Sequence, residues 1–200
     1  LKILAMDTTS ERGSIAIAQD DTVIEEAALS AGGGFEQTLF QEIDTLLKRH
    51  SLTLSDIDGF ASASGPGTFT GVRVGLTAVK GLAEALSRKV VAVSNLKAMA
   101  FFGAGELRAP FLDARRGEIY GAVYDASLAL VRDEVVMKYD AWVAALPAGA
   151  ELISEPRMLA GAMARIAARE FAAGRGKDPA AIDASYVRRS DAEMQWKDVL

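Results

Sequence analysis

Residues 64 to 75, Ser-Gly-Pro-Gly-Thr-Phe-Thr-Gly-Val-Arg-Val-Gly, constrain this chain more than any other stretch. An apolar run from Ile57 to Ala63 enters them, and a helical pattern leaves them and continues to about Leu86. The segment is a glycine-rich turn from a strand into a helix. Glycine lets a backbone approach another group with no Cβ in the way, and Pro66 fixes φ in a tight turn. The free N–H groups of the helix start face into the same corner and favour an anion. Two phosphate loops fail on spacing. No Lys follows Gly71, as a Walker A loop requires, and Gly65, Gly67 and Gly71 are spaced one residue too wide for a dinucleotide fingerprint. Two readings stay open. Gly65, Pro66, Gly67, Thr68 and Thr70 form a phosphate corner of another kind, or they form a tight turn with close helix packing, which is the better supported.

The helix after the loop carries Gly71, Gly75, Ala78 and Leu82 at helical spacing, with Gly81 nearby. Each glycine inside a helix costs about 1 kcal/mol relative to Ala. Such a stripe is tolerated where another backbone packs close, within the chain or on another chain. A second amphipathic helix runs from Phe35 to about His50, with Phe35, Leu39, Phe40, Ile43, Leu46 and Leu47 at helical spacing and charged residues between them. Before it, Lys2 to Met6, Gly13 to Ala18 and Thr22 to Leu29 read as strands, with the polar turn Asp7-Thr8-Thr9-Ser10 after the first. Lys89 to Ser94 is a further strand and Asn95 to Phe102 a helix. This closes a βββαβα lobe at about residue 103.

Gly103-Ala104-Gly105 reads as a link to a second lobe. There, Ala109 to Asp113 and Ile119 to Tyr124 are strands around the turn Arg115-Arg116-Gly117-Glu118. Leu128 to Met137 is another strand, Asp140 to Leu146 a short helix and Ala150 to Ile153 a strand. Pro156 to Phe171 is an Ala-rich helix, and the last ten residues read as a polar tail.

The chain has 200 residues, a net charge of −5, 50% hydrophobic residues and no cysteine. The acidic balance argues against tight binding of nucleic acid by the isolated chain through phosphates. The lack of cysteine excludes disulfides, thiolate metal sites and a Cys nucleophile. No apolar run reaches the length of a membrane span and no signal-peptide pattern opens the chain, so a cytoplasmic protein is expected. The single histidine, His50, sits at a helix end beside Lys48 and Arg49, where it reads as a helix-end cation. One histidine supplies no His-Glu-x-x-His metal motif.

The Gly65–Gly75 loop, preceded by Met6-Asp7-Thr8-Thr9 and followed by Leu112-Asp113-Ala114-Arg115-Arg116-Gly117-Glu118-Ile119-Tyr120, resembles the TsaB (YeaZ) family. These are bacterial partner proteins of tRNA threonylcarbamoyladenosine synthesis. The likeness extends to Tyr186-Val187-Arg188. It implies an α/β fold of two lobes, of the actin-like ATPase type shared by acetate kinase, sugar kinases, Hsp70 and actin. Both sheets should be mixed and five-stranded, with a reduced second lobe. The expected division is 1–103 for the first lobe, 104–190 for the second and 191–200 for a flexible tail.

The implied role is non-catalytic: a scaffold for TsaD as it transfers the threonylcarbamoyl group to N6 of adenosine 37 in tRNAs reading ANN codons. TsaD is the implied partner, with TsaE joining the assembled pair. A homodimer through the same face is implied when the chain is alone, tRNA is met only through the complex, and no membrane is involved. The partner face implied by the resemblance comprises Phe35, Leu39, Phe40, Ile43, Leu46, Leu47, Gly71, Val74, Gly75, Ala78 and Leu82. Family members usually carry His-Ser-Glu where this chain has Phe35-Glu36-Gln37, so any role of that histidine is absent.

Asp7, Thr8 and Thr9 with the Gly65–Thr70 loop resemble a vestigial nucleotide corner. Active relatives have a glycine soon after the Asp, and here Thr8 and Thr9 follow instead. Asp113, Arg115, Arg116 and Glu118 are candidate contacts at the partner junction, where ATP or ADP would sit, with no cofactor of the chain's own. Against the scaffold role stand a free-standing nucleotide-binding kinase or ATPase built on Asp7 and the loop, and an obligate homodimer with no other partner.

Overall fold

In the computed structural model, which describes residues 1–30, 34–154 and 157–185, two sheets form in two compact units. The first unit opens with three strands, β1 (Lys2–Asp7), β2 (Ser14–Gln19) and β3 (Thr22–Ala28), joined antiparallel. Helix α1 (Phe35–Arg49) leads to β4 (Gly59–Ala63), and α2 (Phe69–Leu86) leads to β5 (Lys89–Val93) and α3 (Asn95–Ala100). The two crossovers make β1, β4 and β5 parallel, giving the order β3-β2-β1-β4-β5. In register, Leu4 stands between Ile17 and Phe60, and Phe60 beside Val90.

Successive strand residues point to opposite faces, so the two faces of this sheet differ in kind. One carries Leu4, Met6, Ile15, Ile17, Phe60 and Val90, which form a single core with Leu39, Ile43 and Leu46 of α1 and Val72, Leu76 and Val79 of α2. The other carries small buried residues, Ala5, Ala16, Ala18 and Ala61, together with Gly59. Helix α5 (Ala160–Ala172) lies against this second face, touching β1, β2, β4 and β5. Its own small residues, Gly161, Ala164, Ala167 and Ala168, are buried there. Gly59 leaves room for the Phe171 ring, which an added Cβ would meet at 2.6 Å.

The sheet also satisfies the open N–H groups at the start of α5. Ser14 Oγ accepts from the Ala160 N–H at 3.2 Å, and Glu26 Oε1 accepts from the Gly161 N–H at 2.9 Å. A carboxylate there also meets the positive end of the helix dipole. Further along α5, Arg165 and Arg169 reach Asp21 in the β2–β3 turn at 2.8 and 3.3 Å. These paired guanidiniums hold the Asp21 carboxyl down to about 2.

The second unit is built on β6 (Leu107–Arg115), β7 (Glu118–Asp125), β8 (Leu130–Lys138) and β9 (Glu151–Ile153), in the order β8-β7-β6-β9. Helix α4 (Tyr139–Ala145) covers one face through Trp142, whose ring lies 5.4 Å from that of Phe111. Gly121 makes space for the indole, since an added Cβ would meet it at 2.5 Å.

Two expectations are corrected. Among the described residues the second sheet has four strands, not five. The units divide at 98/99 rather than 103/104, and residues 157–184 belong with the first unit rather than with 104–190. The physical reason is α5, whose small-residue face and capping partners lie on the first sheet. The tail at 191–200 and Tyr186-Val187-Arg188 lie outside the described residues.

Candidate functional site

The turn after β1 and the loop before α2 meet at the carboxyl ends of β1 and β4. Asp7, Thr8 and Thr9 are each 1% exposed. Asp7 Oδ1 accepts from the Thr9 N–H at 2.9 Å and the Thr9 hydroxyl at 2.6 Å. Burial pushes the Asp7 carboxyl up from its ordinary value, and the Thr9 hydrogen bonds oppose that shift. Asn95, the first residue of α3, ties the corner together. Its Nδ2 donates to Thr9 Oγ1 at 2.6 Å, and its Oδ1 accepts from the Gly65 N–H at 3.1 Å.

The loop closes on this turn through one backbone and one side-chain hydrogen bond. The Thr68 N–H donates to the Thr9 carbonyl at 2.9 Å, and the Thr8 hydroxyl donates to the Gly71 carbonyl at 2.6 Å. Thr68 caps α2, its Oγ1 accepting from the Gly71 N–H at 3.2 Å. A Cβ on Gly67 would meet Thr9 Cβ at 2.5 Å, and one on Gly71 would overlap the Thr8 carbonyl. On Gly75 it would come within 2.8 Å of the Thr8 hydroxyl and 2.9 Å of the Ser62 hydroxyl. Pro66 is buried in the turn, while Thr70 faces outward.

The structure brings Asp7, Thr8 and Thr9 together with Gly65, Gly67 and Thr68, and it adds Gly71, which was expected on the partner face. The geometry favours the turn-and-packing reading over the phosphate reading. The glycines admit the β1 turn itself, and the polar groups named above bond to one another. Among the described residues no three His, Asp or Glu side chains are placed to hold a metal. Asn95 is the participant sequence reasoning missed. The available signal was the polar pair Ser94-Asn95 closing the apolar run of β5, but nothing local ties it to a threonine 86 residues away.

The expected partner face divides sharply. Leu39, Ile43, Leu46 and Leu47 are buried in the core, with at most 3% of their surface exposed. Phe35 packs over Gly13 of the β1–β2 turn, where an added Cβ would meet its ring at 2.6 Å. Gly71 and Gly75 point inward at Thr8. Ile43, Leu46, Leu47, Gly71 and Gly75 are therefore buried on the sheet side, and Phe35 is only partly covered. The reason is geometric: a stripe at 3.6-residue spacing marks the side turned to the sheet, and the outward side holds a second, shorter set.

That outward set forms an apolar groove of ≈ 610 Å³ between α1 and α2. Phe40, Phe69, Val74, Ala78 and Leu82 line it, Leu39 forms its floor, and Glu36, Thr70, Arg73 and Thr77 form its polar rim. Phe40 is 56% and Phe69 51% exposed, a large outlay of aromatic surface for two facing helices. The Arg73 guanidinium lies 3.9 Å from the Phe69 ring centroid, a cation–π contact at the rim. Phe69, which the sequence shows only as a loop residue, is part of this face. Asp113, Arg115, Arg116 and Glu118 lie elsewhere, around the β6–β7 turn of the second unit.

With this geometry in view, comparison with known proteins decides the family. Residues 30–171 match the family model TsaD, tRNA N6-adenosine threonylcarbamoyltransferase. The chain belongs to the TsaD family. Within that family it is similar to the TsaB (YeaZ) proteins. The Bacillus subtilis tRNA threonylcarbamoyladenosine biosynthesis protein TsaB is 34% identical over 137 residues, 68% of this chain and 60% of that protein. The Escherichia coli protein of the same name is 36% identical over 129 residues, 62% of this chain and 55% of that protein. The chain thus spans 55–60% of the length of these two curated relatives. A solved structure from Pseudomonas aeruginosa, of an uncharacterized protein with similarity to peptidase YEAZ, superposes with a TM-score of 0.78 at 26% identity. That match covers 94% of this chain and 99% of the other. The fold is the actin-like ATPase type expected of the family.

Proposed function

We propose that this chain acts in threonylcarbamoyladenosine synthesis as a non-catalytic partner of TsaD, which transfers the threonylcarbamoyl group to N6 of adenosine 37 of ANN-decoding tRNAs. The observation that carries this reading is the pairing of a TsaD-family chain with an exposed aromatic groove on α1 and α2. A TsaD helix pair fits such a groove: apolar at its centre, with Glu36 and Arg73 at the rim to fix orientation. TsaE joins the assembled pair, and a second copy of the chain occupies the same groove when TsaD is absent. The chain holds no cofactor of its own, ATP or ADP belongs to the junction with TsaD, and the compartment is the cytoplasm. In support, no described helix is long and apolar enough to cross a membrane.

The competing kinase or ATPase reading needs the Asp7 corner to open to a phosphate. The mutual hydrogen bonds of Asp7, Thr9, Asn95 and Gly65 argue against it. Size-exclusion chromatography of the chain with TsaD, alongside an ATP turnover assay on the pure chain, tests both readings. A one-to-one complex with TsaD and no turnover is expected. Turnover by the chain alone, with no TsaD complex, would overturn the proposal.

A further inference from the structure

Strand β5 is an edge of the first sheet, with β4 on one side and no further strand on the other among the described residues. On that outer side the chain returns to it at a single bridge. The Val90 N–H donates to the Lys177 carbonyl at 2.9 Å, and the Lys177 N–H donates to the Val90 carbonyl at 2.8 Å. Two residues earlier the returning chain has not yet met the strand. The Arg175 N–H donates instead to the Glu170 carbonyl at 2.8 Å, at the end of α5. Along a ladder, alternate residues turn their backbone groups to the same side, so Ala92 faces its N–H and C=O outward as Val90 does. Neither group has a partner among the described residues.

A cavity of ≈ 390 Å³ lies along this open edge. Val91 and Val93 of β5, Ile166 of α5 and Ile182 give it apolar walls. Its charges come from Lys97, Glu170, Arg175, Lys177 and Asp183. Glu170 is shared, with Lys97 Nζ 3.6 Å from one carboxylate oxygen and Arg175 Nε 2.5 Å from the other. Asp183 Oδ1 accepts from the Ala184 N–H at 2.8 Å. The Lys177 ammonium has no ion-pair or hydrogen-bond partner among the described residues. Three cations thus stand against two carboxylates, a local positive excess on a chain of net charge −5.

We infer that the outer edge of β5 binds a short extended peptide carrying an acidic side chain. Unpaired N–H and C=O groups on a strand edge are a template for a further strand. The peptide takes the place beside Ala92 that the chain gives up at Arg175. Its carbonyl accepts from the Ala92 N–H and its own N–H donates to the Ala92 carbonyl, the same pair of bonds that Val90 makes with Lys177. Its carboxylate meets the free Lys177 ammonium and the surplus charge of Lys97 and Arg175 around Glu170. The main-chain bonds supply affinity and the cations supply selection. None of these residues lines the groove between α1 and α2, so the two sites are separate.

The test is fluorescence anisotropy of the full chain with labelled five-residue peptides blocked at both ends. One alternates Val and Glu, one alternates Val and Lys, and one is the Val/Glu peptide with its backbone amides N-methylated. Two variants accompany the native chain. Lys177→Glu reverses the free charge, and Ala92→Pro removes the outward N–H, a change that an edge strand tolerates. The Val/Glu peptide should bind the native chain saturably, and the Val/Lys and methylated peptides about tenfold or more weakly. Lys177→Glu should lose about tenfold in affinity for the Val/Glu peptide with an unchanged thermal midpoint, and Ala92→Pro should lose as much. If Ala92→Pro does not fold, Lys177→Glu and the methylated peptide still decide. No saturable binding of the Val/Glu peptide up to about 1 mM overturns the inference, as does equal affinity for the Val/Lys peptide or native affinity in Lys177→Glu. Equal affinity for the methylated peptide also overturns it, marking a carboxylate site with no strand pairing. So does a sedimentation mass that rises with concentration in the native chain and not in Ala92→Pro, which would mark the edge as a contact between copies. The assay contains no TsaD, so its outcome is independent of the proposed function.

Discussion

At Gly71 a hydrogen stands where any other residue would drive a Cβ into the Thr8 carbonyl, because α2 starts hard against the turn after β1. Gly71→Ala should therefore destabilise the fold by about 1–3 kcal/mol, the usual cost of overpacking a filled site. Urea unfolding checks this, and a midpoint equal to the native one would mean the contact is soft. Asp7 gives a prediction of opposite sense. Its carboxyl titrates higher folded than unfolded, chiefly because it is buried, so native protein binds the extra proton and stability falls as pH rises from 3.8 through the raised value. Asn at this position keeps an acceptor for Thr9 and carries no charge. Asp7→Asn should gain stability relative to the native chain over that rise and hold the gain at neutral pH. A pH series of denaturation curves reads it directly. Much of the corner was legible in the sequence, since Asp7-Thr8-Thr9 and the Gly65–Gly71 loop each end a buried strand. What they do there was not, because a glycine that admits a ligand and a glycine that admits a threonine look alike in one dimension. Asn95 was invisible for the related reason that its partners are distant in the chain.

Helix α5 carries the lesson at the scale of elements. Its Ala-rich sequence marks a helix plainly, yet its place on the first sheet could not be read. Ala5, Ala16, Ala18 and Ala61 leave a flat surface on which a helix of small residues sits close, and small residues carry little pattern of their own. The Asp21 clamp gives a measurable signature of this docking. Its carboxyl is held down to about 2 by Arg165 and Arg169, so its contribution is full above 3.8 and is lost as pH falls from there toward about 2. The pair is about half exposed, so screening limits the contribution to under about 1 kcal/mol. Asp21→Ala should lower stability slightly at neutral pH and flatten the acid limb. An acid limb as steep as that of the native chain would place the loss elsewhere. The period of α1 is legible in the sequence, but not how it divides: the structure turns Leu39, Ile43, Leu46 and Leu47 to the core and leaves Phe40, on the same period, exposed beside Phe69 of α2.

For the whole molecule, the groove between α1 and α2 separates a chain that works alone from one that works against a partner. Phe40 is more than half exposed and lies outside the buried core, so Phe40→Asp should leave the thermal midpoint within a few degrees of the native value. It should weaken TsaD binding by about 30-fold or more, the loss of an aromatic hot spot of about 2 kcal/mol. Titration calorimetry measures this, and native affinity in the variant would move the interface away from α1. The most direct measurement is reconstitution of tRNA modification. TsaC, TsaD and TsaE from one source would be supplied with ATP, threonine, bicarbonate and unmodified tRNA. Threonylcarbamoyladenosine would then be assayed without the chain, with the native chain and with the Phe40→Asp variant. The account predicts full modification with the native chain, reduced modification with the variant and none without the chain. Equal modification with no chain added would contradict it.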